Sequence, residues 1–252
     1  VQLYNKGLSY KGSKLVNWCP KSQTALSDEE VMFKEVNGKL WYIKYAVNES
    51  DTFIEIATTR PETMLGDTAI AVNPNDSRYK ALIGKTALLP LVGRRIPIIA
   101  DDMVDPEFGT GCVKITPAHD LNDYEVGIKH NLEIINIMNA DSSISDKAPK
   151  KYRGMSREAA RKQIVSDLKD INHLIKEEDY LHKVGYSERG NVPIEYYLSE
   201  QWFLKMEDIA KPAIRAVKNN EINFYPNHWV KTYNHWMDNI QDWCISRQLY
   251  WG

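Results

Sequence analysis

The sequence predicts an α+β fold in which a curled, barrel-like sheet carries peripheral helices. Three observations point there. Many short apolar runs follow one another, and Gly and Pro punctuate them at Asn73-Pro74, Gly84, Pro90, Gly93 and Gly109. Helical periodicity is confined to a few separated stretches, which argues against repeated βαβ units. At 252 residues, 43% hydrophobic and 26% charged, the chain can bury a sizeable core and is not disordered by composition.

The elements follow in order. Residues 39–47 alternate with Trp41, Ile43, Tyr45 and Val47 on one face, the pattern of a half-buried strand. Further strands are expected at 53–58, 70–72, 86–91, 96–100 and 113–115. Asp120 is a good N-cap for a helix with Asp123 at its third position and Tyr124 and Ile128 facing inward. Ser156 opens a second helix whose apolar stripe is Ala160, Ile164, Leu168 and Ile171. Near the end, Trp229, Tyr233, Trp236 and Ile240 recur at helical spacing. That stripe reads as core or interface rather than as a base-stacking platform.

Bulk properties exclude several classes. A net charge of -2 means that nucleic acid would have to meet a local basic patch. The run Lys147, Lys150, Lys151, Arg153, Arg157, Arg161 and Lys162 could track phosphates, or it could be a solvated helix face. No stretch of eighteen apolar residues and no signal peptide are present, so no membrane partner is expected. The three cysteines, Cys19, Cys112 and Cys244, are far apart and form no Cys-x-x-Cys pair, so no metal site is expected and a reducing, cytoplasmic compartment fits. The chain starts at Val1-Gln2-Leu3 without Met and stops at Tyr250-Trp251-Gly252, so both ends are expected to be cuts in something longer.

Two polar clusters each sit where an apolar run ends. In Thr58-Thr59-Arg60-Pro61-Glu62-Thr63, Thr59 and Glu62 have the spacing of a capping box with Pro in the first turn. Such a turn exposes backbone N–H groups, Thr58 and Thr63 add hydroxyls, and Arg60 could hold a phosphate or the edge of a terminal nucleotide. The plain alternative is a helix start with Arg60 in a surface ion pair. In the second cluster, strand alternation puts Lys114 and Thr116 on one face, and the next turn brings in His119, Asp120 and Asp123. If Asp120 caps the helix, Asp123 is the better acid to face a ligand, and its carboxylate could bind an ammonium. No nucleophile elbow is present, and a lone His119 beside a helix start is more often structural. Water, positioned rather than strongly activated, is the expected attacking group.

Residues 57–67 (ATTRPETMLGD) and 109–127 (GTGCVKITPAHDLNDYEVG) resemble the two motifs of the editing insertion in the valyl-tRNA synthetase family. The resemblance extends to Leu15-Val16-Asn17-Trp18, Thr24-Ala25-Leu26-Ser27-Asp28, Leu198-Ser199-Glu200-Gln201-Trp202-Phe203 and Asp242-Trp243-Cys244-Ile245-Ser246-Arg247-Gln248-Leu249, so it covers nearly the whole chain. The run from Lys114 to Asp120 is closer to the valine than to the isoleucine enzymes. The resemblance implies the β-barrel-like editing domain that class I valyl, isoleucyl and leucyl enzymes share. It implies a linker ribbon at 1–47, an editing core at 48–200, and a helical segment at 201–252 returning to a catalytic domain. His-Ile-Gly-His and Lys-Met-Ser-Lys-Ser motifs are absent, so aminoacylation, and with it ATP, is expected to belong to the rest of the synthetase.

The implied partner is the 3′ acceptor end of valine tRNA carrying threonine, and the implied reaction is hydrolysis of that ester without a cofactor. Asp123 would grip the α-ammonium, while Lys114 and Thr116 would serve the side-chain hydroxyl or the ester. Phe108, Arg60, Thr58, Thr59 and Asp120 would line the pocket and seat the terminal adenosine, with His119 and Thr63 beside them. A hydrophobic synthetic pocket rejects threonine weakly; valine enzymes are the standard case, with a ratio on the order of 10². A second, hydrogen-bonding pocket inverts the preference, since valine would leave buried groups unpaired at about 1–3 kcal/mol each. Two departures stand out: Ser187 and Gly190 occupy positions where some relatives carry cysteines, and Leu121 stands where Pro is frequent. The alternatives are a catalytically silent module binding the tRNA acceptor end, an editing domain of the isoleucine enzyme, and a structural insertion whose polar clusters only cap helices.

Overall fold

The computed structural model describes residues 1–47 and 52–250. Along the chain run α1 (Gln2–Asn5), β1 (Ser9–Cys19), β2 (Thr24–Leu26), β3 (Val31–Val47), β4 (Phe53–Thr58), a 3₁₀ turn (Pro61–Gly66), β5 (Ala69–Val72), β6 (Thr86–Leu88), β7 (Arg95–Ala100) and β8 (Cys112–Ile115). After these come α2 (Leu121–Lys129), α3 (Arg157–Asp170), β9 (Leu174–Ser187), β10 (Glu195–Leu204), α4 (Glu207–Lys218), α5 (Trp229–Asp238) and β11 (Trp243–Cys244).

Among the described residues the strands form two sheets. The larger follows the path β4-β3-β6-β7-β5-β8, with β9 added along β3. Its ends, β4 and β8, meet without pairing, so the sheet curls back on itself in a barrel-like way. Trp41, Ile43, Tyr45 and Val47 do line one buried face of β3, where side chains of alternate residues share a side. Ile54, Ile56, Met64, Leu65, Ile70 and Ile98 join Ile43, Tyr45 and Val47 in one core, which Ala160, Ile164 and Leu168 of α3 cover. β5 is buried on both faces because Ala69 and Ala71 pack the other way, against Ile115 and Val126.

The smaller sheet has the order β11-β10-β1-β2 and its own small core of Val16, Trp18, Ala25, Phe203 and Cys244. Trp18 Nε1 donates to the Ala140 carbonyl at 2.8 Å, tying this sheet to the larger body. At one end of it two turns face each other. Cys19 Sγ lies 3.4 Å from Ser22 Oγ, and a Cβ on Gly190 would stand 2.7 Å from that sulfur. Cys19 is the thiol of this corner; Ser187 and Gly190 supply none.

Several details differ from expectation, each for a physical reason. The strand expected over 86–91 stops at Leu88, because Leu91 takes a positive φ of 63° in the turn that follows. α2 turns a different face inward. Asp123, Val126 and Gly127 are its buried residues, Ile128 is 60% exposed, and Tyr124 is only half-buried. Gly127 permits this docking, since a Cβ there would come 2.8 Å from Pro117. Ile171 falls off the α3 stripe as an exposed C-cap residue. Trp229 and Trp236 of α5 are exposed, so their stripe is not core among the described residues. The expected segments 1–47, 48–200 and 201–252 each contribute strands to the sheets. β3 lies in the larger sheet beside β4, and β10 spans residue 200 while pairing with β1. The expected boundary at residue 48 lies outside the described residues.

Candidate functional site

The second polar cluster is assembled by three elements. β8 delivers Lys114 and, just beyond its end, Thr116; the N-terminus of α2 delivers Asp120 and Asp123; the end of the 3₁₀ turn delivers Asp67. Asp120 is the helix N-cap, as expected: its Oδ1 accepts the backbone N–H groups of Asn122 and Asp123 at 2.9 and 3.1 Å. That leaves Asp123 on the inner side of the first turn, only 6% exposed, where its Oδ2 accepts the backbone N–H of Thr116 at 2.8 Å. No described cation lies within ion-pair distance of Asp123. Burial pushes its carboxyl up to about 7; Lys114 pulls it down and Asp120 pushes it further up.

Lys114 and Thr116 share a face and meet, but their common partner is Asp67, the last residue of the first resembling run and one to which no local sequence pattern assigns a role. Asp67 is wholly buried. Its Oδ1 accepts the Thr116 hydroxyl at 2.5 Å and the Lys114 ammonium at 3.3 Å, and its Oδ2 accepts the Tyr45 hydroxyl at 2.7 Å. Lys114 Nζ also donates to Thr116 Oγ1. One signal in the sequence marks this acid. Tyr45 stands on the buried face of a strand, and a buried phenol requires a partner.

The first cluster is built otherwise. No capping box forms between Thr59 and Glu62. Arg60 is the N-cap position, its side chain makes no cap bond, and the turn is 3₁₀. The reason is that Glu62 is drawn inward to Arg161, whose Nε and Nη2 donate to it at 2.8 and 2.7 Å, and to Arg60 Nε at 3.4 Å. Burial would raise the Glu62 carboxyl, but the two guanidiniums hold it below its ordinary value. Arg60 Nη2 reaches Glu195 of β10 at 2.5 Å, and Arg157 Nη1 reaches the other oxygen of that carboxylate at 2.5 Å. Arg60 is thus in a partly buried network rather than in a surface pair. Thr58 Oγ1 accepts the Arg60 backbone N–H at 3.0 Å, and Thr63 Oγ1 donates to the Arg60 carbonyl at 3.0 Å, so both hydroxyls brace the turn.

Three cations of the basic run are likewise taken up by pairing: Lys151 with Asp167, Arg157 with Glu195 and Glu158, Arg161 with Glu62. His119 is buried. Its Nε2 accepts the Ile137 backbone N–H at 3.1 Å, which places the ring proton on Nδ1, a buried atom without a hydrogen-bond partner among the described residues. Burial, with Arg60 and Lys114 nearby, lowers its pKa to about 3, so the ring is neutral. Phe108 lies in the loop before β8 and is 70% exposed. A groove of about 1210 Å³ runs between the β3–β9 ribbon, α3 and the start of β10. Thr59 and Arg60 line it with Trp41, Arg157, Arg161 and Tyr196, whereas Lys114, Thr116 and Asp123 do not. Among the described residues no group of three His, Cys, Asp or Glu side chains could hold a metal ion, and no helix is long and apolar enough to cross a membrane.

The sequence as a whole falls into a known group. The family described as tRNA synthetases class I (I, L, M and V) matches residues 1–252, and the chain belongs to it. Within that family the similarity is to valine–tRNA ligases. The chain is 59% identical to that of Clostridium tetani and 56% identical to those of Chlorobaculum tepidum and Thermotoga maritima, over the whole of this chain and 28%, 28% and 29% of each relative. It therefore spans under a third of their length. Among solved structures, LeuRS of Agrobacterium radiobacter K84 in a ternary complex with tRNA and LeuAMS overlays with a TM-score of 0.43 at 19% identity, over 77% of this chain and 32% of that one.

Proposed function

We propose that the chain is the editing module of a valine–tRNA ligase, which hydrolyses the ester of threonine misattached to valine tRNA. The observation that carries this reading is the state of Asp123. It is an acid at the edge of a polar cluster, nearly buried, held by a single backbone N–H and left without a countercharge among the described residues. A buried carboxylate in that state is costly until a cation arrives, and the α-ammonium of an aminoacyl ester is such a cation. Beside it Lys114 has three ammonium protons and two acceptors, Asp67 and Thr116. The third proton is available to a hydroxyl or ester oxygen. Threonine would satisfy that donor, and valine would leave it unpaired at about 1–3 kcal/mol.

Water is the nucleophile in this scheme, and no cofactor takes part. Cys112 is buried and its thiol is pushed up to about 11, so little thiolate exists at neutral pH. The His119 lone pair is already occupied by Ile137 N–H, which removes it as a general base. The chain's similarity to valine–tRNA ligases supports the choice of tRNA and amino acid. Arg60 and Thr59 border the groove through which the acceptor end would approach.

The test is deacylation of threonyl-tRNA specific for valine by this chain and by Asp123→Ala. Wild-type hydrolysis with a loss of about 10²-fold or more in the variant is the expected result, of the size that removing one charge-stabilising group produces. Equal rates overturn the role of Asp123. Salt-sensitive RNA binding without hydrolysis would instead favour a silent acceptor-end module.

A further inference from the structure

We propose that Asp67 is the positioning residue of the candidate site, the buried anchor that aims Lys114 and Thr116 and keeps Lys114 away from Asp123. The inference rests on the editing reading and adds to it a residue with no role there.

Its backbone is pinned first. The Asp67 N–H donates to the Met64 carbonyl at 3.0 Å, closing the 3₁₀ turn, and its own carbonyl accepts Arg94 Nη2 at 2.8 Å. The carboxylate then takes three donors from two segments far apart in sequence: Tyr45 in β3, and Lys114 and Thr116 at the end of β8. Direction follows from donor counting. The Thr116 hydroxyl has one proton and gives it to Asp67, so toward Lys114 it can only accept. The relay therefore runs one way, from the ammonium through the hydroxyl to the buried acid. Two acids compete for one lysine here. Asp67 holds it at 3.3 Å, while Asp123 has no ion pair within 4 Å among the described residues. Lys114 also lies close enough to Asp123 to pull its carboxyl down, so were Asp67 neutral, Asp123 would be left to draw the lysine and would no longer be free for the substrate ammonium. Burial pushes the Asp67 carboxyl up, and Lys114, Thr116 and Tyr45 each pull it down again, so its charge depends on the three partners it orders.

The variant that separates charge from shape is Asp67→Asn in the full chain, read by deacylation kinetics and by the side-chain ammonium resonance of Lys114. The expected result is a fall of about tenfold or more in kcat, since alignment is lost, with a rise in KM for the charged tRNA as Lys114 engages Asp123 in place of the substrate ammonium. The Lys114 ammonium signal should move or broaden as its charged acceptor becomes a neutral amide. Tyr45→Phe removes one donor from the same carboxylate, and a smaller fall of about two- to fivefold with a shift of the same sign is expected. A folded Asp67→Asn with wild-type kcat or an unmoved Lys114 resonance overturns the proposal. If Asp67→Asn does not fold, an unmoved resonance in Tyr45→Phe overturns it equally. A wild-type chain without deacylase activity would sink the editing reading alone, because the Lys114 resonance still decides whether Asp67 sets its geometry.

Discussion

Two polar turns that look alike in sequence are opposites in structure. Around Arg60, three guanidiniums meet two buried carboxylates, and each of these carboxylates has two cationic partners. Around Asp123, two acids share one lysine, and Asp67 takes it. With Glu158 paired to Arg157 as a third acid, the first turn is charge-balanced and braces the junction of the 3₁₀ turn, α3 and β10. The second is left one cation short. The difference shows that polar residues at strand ends indicate function only where the local charge account fails to close.

The largest effect should come from breaking the balanced turn. Glu62→Ala removes a wholly buried carboxylate that Arg60 and Arg161 share. Removing one partner of a buried pair costs about 3–5 kcal/mol, and because Arg161 is a third exposed and can turn to water, the lower end is expected. Urea denaturation reads this directly. A loss under about 1 kcal/mol would mean that the network braces nothing, and the contrast between the two turns would lose one side.

The second cluster should respond with the opposite sign. Asp123 has a folded pKa of about 7 against an ordinary 3.8, so the folded state holds its proton more tightly than the unfolded chain. That contribution is fully present below the ordinary value and is lost as pH rises through about 7. At pH 8 the wild type therefore carries a buried, uncompensated charge. Asp123→Asn can still accept the Thr116 N–H and cannot ionise. It should be more stable than wild type by a few kcal/mol at pH 8 and about equal at pH 4, while losing deacylation. Thermal melts of both proteins across that range check it; a variant no more stable at pH 8 would mean that the carboxylate is already compensated.

What could be seen in the sequence depended on burial. Strands 53–58, 96–100 and 113–115 were legible because at least one face of each is packed, and packing imposes alternation. β9 was not legible. Its residues Lys176, Glu177, Glu178 and Asp179 pair with β3 in a ribbon exposed on most of its length, where nothing forces apolar residues to alternate. The site divides in the same way. Lys114 and Thr116 on one face, and Asp120 as a cap, follow from local geometry alone. Asp67, Glu195 and the pairing of Glu62 depend on segments far away in sequence, and no local pattern encodes which acid a lysine or arginine will meet. The choice of face on α2 was lost because Gly127, a contact surface for Pro117, has no apolar side chain to count.

The smallest effect should belong to Thr63, and it refines the contrast from the structural side. On sequence its hydroxyl was a candidate for substrate or tRNA. In the structure it donates to the Arg60 carbonyl at 3.0 Å, within the balanced turn. That carbonyl also accepts the Thr63 backbone N–H at 3.1 Å, so deleting the hydroxyl leaves no acceptor unpaired. Thr63→Val keeps the side-chain volume and loses one hydrogen bond whose net worth is about 0.5–1.5 kcal/mol. Stability should drop by that amount, and the deacylation rate should stay within about twofold of wild type. A larger loss of rate at unchanged stability would move Thr63 into contact with substrate, and the first turn would then hold a share of the chemistry that its charge balance argues against.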